Sequence, residues 1–351
     1  MSDRLARLLV TRPWLLADGA TGSNLFAEGL VAGDAPELWN VAHPDRIASL
    51  HRRFIDAGAD IILTNSFGGN RYRLALHKSE ARVAELNEAA ARIARQVADE
   101  SGRDIVVAGS MGPTGEIMAP VGTLGFEAAS NAFAEQAASL ARGGADVLWI
   151  ETMSARDEAE AAIAGAETTG LPVVCTLSFD TNGRTMMGMA PADLAALQRE
   201  LAPGPMACGA NCGVGASEVV AAILNLAAAA LPDAVLVAKA NCGIPQYIDG
   251  AIRYDGTPEL MANYACLALD AGARIIGGCC GTTPEHIRAM RQALEAHVRG
   301  PRPDLATVVT TLGEVSNGAR AQSRGELDRL AGAAPGANTV RRSSRRPPNR
   351  A

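Results

Sequence analysis

The sequence predicts a single (β/α)₈ barrel followed by a C-terminal extension. Eight short, β-rich apolar runs alternate with longer amphipathic stretches, the pattern of a parallel sheet covered by helices. Nearly every run ends in a polar or glycine-rich cluster: DGA, TNSF, GSMGP, ET, ANCG, ANCG and GGCCG. Chemistry collected from most strand ends requires a barrel mouth, whereas an open doubly wound sheet gathers its ligand at one switch point. No GxGxxG or GxxxxGKS/T pattern occurs, so the dinucleotide and P-loop readings lack a phosphate cradle.

In chain order the strands are LLADGA (15–20), DIILTNSF (60–67), IVVAGSMG (105–112) and DVLWIET (146–152). PVVCTLSF (172–179), MACGANC (206–212), AVLVAKANC (234–242) and RIIGGCC (274–280) complete the eight. Between them, residues 79–100 place Val83, Leu86, Ala90, Ile93 and Val97 on one helical stripe. Residues 284–298 do the same with Ile287, Met290, Leu294 and Val298, with Thr283 as N-cap and Pro284 at the first helical position. From residue 301 onward Pro, Gly, Ser and Arg dominate and the periodicity fades. The barrel is therefore assigned to 1–300, and 301–351 to an extension that is partly ordered, then flexible and Arg-rich at its end.

Apolar residues make up 48% of the chain and charged ones 20%, enough to bury a sizeable core. The net charge of −6 is uneven: residues 301–351 hold nine Arg against four Asp or Glu, or +5, which leaves −11 on residues 1–300. An acidic body argues against nucleic acid as a partner, and the terminal RRSSRRPPNR reads as a solvated tail. No apolar run reaches the roughly 18 residues of a membrane span, and MSDRLARLLVTRP is too short and interrupted for a secretory signal. A cytoplasmic protein is expected. In that setting the seven cysteines point to metal binding or catalysis and not to a disulfide framework.

Three of them converge. GANCGVG puts Cys212 at the end of the sixth strand, and GGCCG puts Cys279 and Cys280 at the end of the eighth. Adjacent residues of a regular strand point to opposite faces, so the backbone must turn there for both thiols to serve one ion. Gly277, Gly278 and Gly281 are the candidates for that freedom. Three thiolates leave one position of a tetrahedral zinc ion open, the pattern of a catalytic site. Cys175, Cys208 and Cys266 read as small buried hydrophobes.

Other strand ends offer polar groups. Asp18, beside Gly19, can hold a substrate ammonium while the glycine lets a ligand approach. Glu151, after a fully apolar run, is either a second ammonium anchor or an acid paired within the protein. Thr64 offers a hydroxyl and nearby N–H groups to a carboxylate, and Asn65 and Asn241 either orient loops or donate hydrogen bonds. No Ser-His-Asp order or HExxH appears, and none of the five histidines lies in a glycine-rich strand end.

Taken together, DGATGSNLF, TNSFGGNRYRL, GGADVLWIET, GRTMMG, GANCGVG, NCGIP and GGCCGTTPEHI resemble the homocysteine S-methyltransferase family, in particular the homocysteine-binding module of cobalamin-dependent methionine synthase. The resemblance spans residues 15 to 298 and implies a (β/α)₈ barrel with zinc on Cys212, Cys279 and Cys280. It also implies that Asp18, Gly19, Thr64 and Glu151 hold the amino acid moiety of homocysteine. Asn241 matches an Asn that occupies the metal's open position before substrate arrives, with NCG here in place of NAG. The implied activity is methylation of homocysteine to methionine. The implied methyl donor is methylcobalamin carried by a separate corrinoid protein, or betaine; the alternatives are S-methylmethionine, or a non-catalytic homocysteine- and zinc-binding module. Betaine enzymes hold the donor with aromatic rings near the second and fourth strand ends. Here those places correspond to Gly68 and Thr152, with Trp39 the nearby aromatic candidate and Phe67 or Tyr72 in support.

Overall fold

The computed structural model describes residues 4–31, 33–201, 203–248 and 251–326. Its strands are β1 (Leu15–Leu16), β2 (Ile61–Leu63), β3 (Val106–Met111), β4 (Val147–Met153), β5 (Val173–Leu177), β6 (Ala207–Cys212) and β7 (Val235–Ala240). A hairpin, β8 (Pro245–Ile248) with β9 (Ala251–Tyr254), precedes β10 (Ala273–Gly278). Eight strands pair in parallel in the order β1-β10-β7-β6-β5-β4-β3-β2. A parallel bridge from Ala17 to Ile61 joins the two ends, so the sheet closes on itself. This is the expected (β/α)₈ barrel.

Strand parity sorts the side chains. Leu15, Ile61, Val106, Val147, Val174, Ala207, Val237 and Ile275 form a cluster inside the barrel, with Trp149 above them. Their neighbours Leu16, Ile62, Val107, Leu148, Cys175, Cys208 and Ile276 face outward into the shell shared with the helices. The N-terminal helix Arg4–Thr11 buries Leu5, Leu8 and Leu9 against the inner cluster, so it plugs the end where the strands begin. At the weak β1–β2 seam the buried Asp60 accepts the Leu16 N–H at 3.0 Å. Arg12, Arg103 and Arg291 surround its carboxylate.

Some elements differ from their sequence signature. β1 is two residues long, although Ala17 still bridges to Ile61, and the chain from Gly19 onward lines the mouth. In the helix Val83–Glu100 Ile93 is only half-buried, whereas Val83, Leu86, Ala90 and Val97 face the core. The last barrel helix ends at Ala296, so Val298 falls outside it and is 87% exposed. Helices Leu305–Leu312 and Asn317–Ser323 pack on the barrel through Val308 and Ala319. Gly318 N–H donates to Asn182 and Gln322 to Gly183 O, which pins the extension to the loop after β5. The RRSSRRPPNR segment lies outside the described residues. Among the described residues no helix is long and apolar enough to cross a membrane.

Candidate metal centre and substrate cavity

Continuing each strand's inward parity by one step gives the top layer of the barrel: Ser110 after Ala108, Glu151 after Trp149, Thr176 after Val174, and Asn211 two beyond Gly209. Lys239 follows Val237 and Cys279 follows Gly277 by the same rule. Above this layer lies a cavity of about 580 Å³ at the strands' C-terminal ends, the face where barrels of this class place their sites.

The three thiols meet there. Ligand atoms of Cys212, Cys279 and Cys280 all lie within 4.8 Å of one another, with Cys212 Sγ 4.0 Å from Cys280 Sγ. A tetrahedral ion with metal–sulfur bonds of about 2.3 Å sets its sulfurs roughly 3.8 Å apart, so the donor set fits a thiophilic dication such as zinc. Cys212 takes a left-handed backbone, φ +61°, which turns its thiol off the strand axis toward its partners. Gly281, at φ +78°, turns the chain after Cys280. Gly277 and Gly278 stay in the strand and serve close packing instead. A Cβ on Gly277 would sit 2.9 Å from Ala17, and one on Gly278 2.2 Å from Thr282.

The three thiols are linked by hydrogen bonds. Hydrogen bonds from Cys212 and Cys279, with help from the Tyr254 phenol, hold Cys280 down to about 3. Cys279 also receives a bond from Cys212, but its bond to Cys280, burial and the Cys280 charge push it up to about 12. Cys212 is raised as well, by its bonds to the other two thiols and then by burial. Three thiolates in one pocket require a positive ion to balance them.

Asn241 ties the two ligand loops together. Its Oδ1 accepts the Cys280 N–H at 3.0 Å, and its Nδ2 donates to Gly213 O at 2.7 Å. Both ends of its amide are thus committed to backbone on either side of the sulfurs. Asn211, fully buried, donates to Thr152 Oγ1 at 2.7 Å and to Cys279 Sγ at 3.9 Å. Its own oxygen accepts the Thr152 N–H and the Thr176 hydroxyl. Those bonds hold Thr152 at φ +64°, an irregularity within β4 beside Glu151.

Beside the sulfurs stand two carboxylates and a lysine. Asp18 Oδ2 accepts the Leu63 N–H at 2.8 Å, and its Oδ1 lies 3.0 Å from Lys239 Nζ. Burial raises the Asp18 carboxyl despite the attraction of Lys239. Burial works against the Lys239 charge, yet Asp18 and Glu151 outweigh it and raise the ammonium. Glu151 accepts from Ser110 Oγ at 2.6 Å, and burial pushes its carboxyl up to about 7 against the pull of Lys239. With all three groups ionised the trio carries −1, the complement of one ammonium.

Thr64 lines the cavity, but its hydroxyl is held within the wall. Oγ1 accepts the Ser110 N–H at 3.0 Å and lies 2.6 Å from Ser66 Oγ. Asn65 donates to Pro36 O and to Asn40 Oδ1, which fixes the loop after β2. A Cβ on Gly19 would lie 2.6 Å from Thr282 O, so only glycine fits between that strand end and the cavity.

Sequence reasoning missed several groups. Lys239 was visible as a lone cation at an inward position of an apolar strand. Tyr254 comes from the unanticipated hairpin and packs over Gly281. Cys242, directly after Asn241, lies 3.1 Å from His286 Nε2 and 3.1 Å from Gly256 O, and its N–H donates to Cys280 O. Cys175 and Cys208 are buried and Cys266 is half-buried, and all seven cysteines are free thiols. Trp39 does not line the cavity: its ring is covered by Arg46 at 5.0 Å and His43 at 4.9 Å. Nor does Tyr72 line it; among the described residues Phe26, Phe67 and Tyr254 do.

Comparisons with known proteins identify the chain's relatives. Residues 15–294 match the model of the homocysteine S-methyltransferase family. Methionine synthase of Mycobacterium tuberculosis is 31% identical over 305 residues, and that of Mycobacterium leprae is 30% identical over 298. These alignments cover 82% and 80% of this chain but only 25% and 24% of the relatives, so the chain spans about a quarter of their length. The metallated form of the homocysteine methyltransferase MmuM from Escherichia coli superposes with a TM-score of 0.68 at 27% identity. That match covers 82% of this chain and 99% of MmuM. A methyltransferase from Methanosarcina mazei shares the fold alone, with a TM-score of 0.54 at 14% identity. A barrel with three converging thiols at its mouth, matched across all its strands by one family, belongs to the homocysteine S-methyltransferases.

Proposed function

We propose that the protein is a zinc-dependent homocysteine S-methyltransferase that forms methionine. The observation that carries this reading is the convergence of Cys212, Cys279 and Cys280 within 4.8 Å at a cavity also lined by Glu151 and by Lys239, the partner of the buried Asp18. Bound to these sulfurs, zinc supplies a Lewis-acid position where the homocysteine thiol, with an ordinary pKa of about 8.5, binds as thiolate at neutral pH. Glu151 and Asp18 receive the substrate ammonium, and Lys239 offsets one of their two negative charges. Gly19 lets the substrate backbone approach, and Thr64, through Ser66 and Ser110, fixes the wall against which the carboxylate rests. Asn241 holds the Cys212 and Cys280 loops at one separation, which preorganises the sulfurs. A homocysteine thiol bound there would release its proton to solvent water, so the methyl transfer itself would need no general base.

The methyl group comes from betaine, from S-methylmethionine, or from methylcobalamin on a separate corrinoid protein; a homocysteine-delivery module without turnover is the competing class. The test measures zinc content and methionine formation for the wild type and Cys280→Ala, with homocysteine fixed and each donor supplied in turn. The variant is expected to lose zinc and turnover together. Retention of both would remove the basis of the reading, and zinc with homocysteine binding but no turnover on any donor would support the delivery module.

A further inference from the structure

The helix Asn317–Ser323 lies beyond residue 294, where the family match ends, yet it grips two loops of the barrel mouth. The first is the loop after β5. Its tip is a two-residue turn, Asn182 at φ +52° and Gly183 at φ +76°, closed by paired backbone bonds between Thr181 and Arg184. Asn182 Oδ1 accepts the Gly318 N–H at 2.7 Å, and Gly183 O accepts from Gln322 Nε2 at 2.7 Å. The fit is close. A Cβ on Gly318 would sit 1.8 Å from Asn182 O, and one on Gly183 2.6 Å from Ala319 N. Gln322 is 8% exposed, and its Oε1 accepts from Asn225 at 3.3 Å, so both ends of its amide are committed.

The second is the loop after β6, which carries Cys212 and leads into the helix Ala216–Ala229. In the first turn of that helix Ser217 Oγ donates to Glu314 O at 2.7 Å, and the buried Glu218 accepts the Ser316 N–H. The two loops also meet each other, because the Gly213 N–H donates to Ser178 Oγ at 3.2 Å. Farther along the β5 loop, Thr185 Oγ1 donates to Ser154 O at 2.6 Å, three residues beyond Glu151.

Cys212, Gly213 and Gly215 all take positive φ, at +61°, +68° and +137°. A loop with two glycines at such angles has many conformations open to it in isolation. Asn241 holds this one from the cavity side through Gly213 O, and the extension holds it from outside. We propose that the helix Asn317–Ser323 is a clasp for the metal centre, and that Gln322 is a positioning residue for Cys212, acting through the loop after β5. This rests on the three sulfurs holding zinc. Sulfurs already at ligand separation bind the ion without a further ordering cost, so loosening the clasp lowers metal affinity while every ligand stays in the chain.

The test is made on the full chain with Gln322→Leu, which removes the bond to Gly183, and with Gly318→Val, which wedges the helix away from Asn182. Val308→Ala is the control, since it trims the preceding helix Leu305–Leu312 where that helix packs on the barrel. Zinc affinity is read by competition with a chromophoric chelator, and urea denaturation of each metal-free protein is followed alongside. Both clasp variants are expected to bind zinc about ten-fold more weakly, still at one ion per chain. Val308→Ala should lose stability yet keep its zinc affinity within about three-fold of the wild type, whereas a purely structural role for Gln322 would make affinity follow stability in all three. Wild-type affinity in Gln322→Leu, or affinity that falls in step with stability across the series, overturns the clasp and leaves the zinc reading standing. A wild type that binds no zinc overturns both. Gln322→Leu, the milder change, decides the matter if Gly318→Val does not fold.

Discussion

Lys239 Nζ lies 3.0 Å from Asp18 Oδ1 inside the barrel, where the two side chains are 2% and 1% exposed. This pair joins β7 to the end of β1 across the barrel mouth and sits over the Trp149 ring, 5.7 Å from its centroid. A buried ion pair contributes little net stability over an apolar pair, but removing one member strands the other charge. Lys239→Met is expected to lower unfolding free energy by about 3–5 kcal/mol, and Asp18→Asn with Lys239→Met should recover much of it. Urea denaturation of both variants checks this; a double variant no more stable than the single one would show that the charges do not act as a pair.

Asn241 predicts a metal effect separable from ligand loss. Asn241→Ala keeps all three sulfurs but frees the Cys280 N–H and the Gly213 carbonyl from their shared clamp. Zinc affinity is expected to fall about 10–100-fold, as read by competition with a chromophoric chelator, with stoichiometry still one ion per chain. Unchanged affinity would mean that the loops hold their separation without it.

For Glu151 the expected effect is on substrate. Glu151→Gln keeps an acceptor for the Ser110 hydroxyl but removes the charge that balances the ammonium. Homocysteine KM should rise about 10–100-fold, while zinc content stays at the wild-type level. If KM for homocysteine is unaffected, the ammonium is held elsewhere.

His51 gives a pH dependence remote from the site. It is buried in the helix Pro44–Asp56, neither ring nitrogen has a partner among the described residues, and burial lowers its pKa from 6.5 to about 4. The unfolded chain accepts a proton below 6.5 that the folded chain refuses until about 4. The neutral ring's contribution is therefore intact above that ordinary value and lost as the pH falls through this window, by up to about 3 kcal/mol. His51→Leu should flatten stability between about pH 6.5 and pH 4 relative to the wild type. Parallel slopes for the two proteins would show that His51 is not responsible.

Much of this was legible because barrel chemistry follows strand parity. The eight strands, and the meeting of Cys212 with Cys279 and Cys280, follow from runs that end in glycine-rich clusters. Lys239 could have been found by the same parity. Trp39 looked like a donor contact because of its place in the chain, yet Arg46 and His43 cover its ring. Tyr254 stayed hidden because it depends on a hairpin inserted between β7 and the following helix, a departure from the strand–helix alternation that guided the rest.

The layered interior also implies how this barrel can change. Ser110, Glu151, Thr176, Asn211, Lys239 and Cys279 each stand one inward step above the apolar cluster, and each comes from a different strand except for the loop-borne Cys279 beyond β10. Exchanging any one alters the reactive ceiling without opening a void in the hydrophobic floor beneath. A new acceptor or leaving group could thus be accommodated by a few replacements at these heights, provided that charge is exchanged in matched sets and not singly.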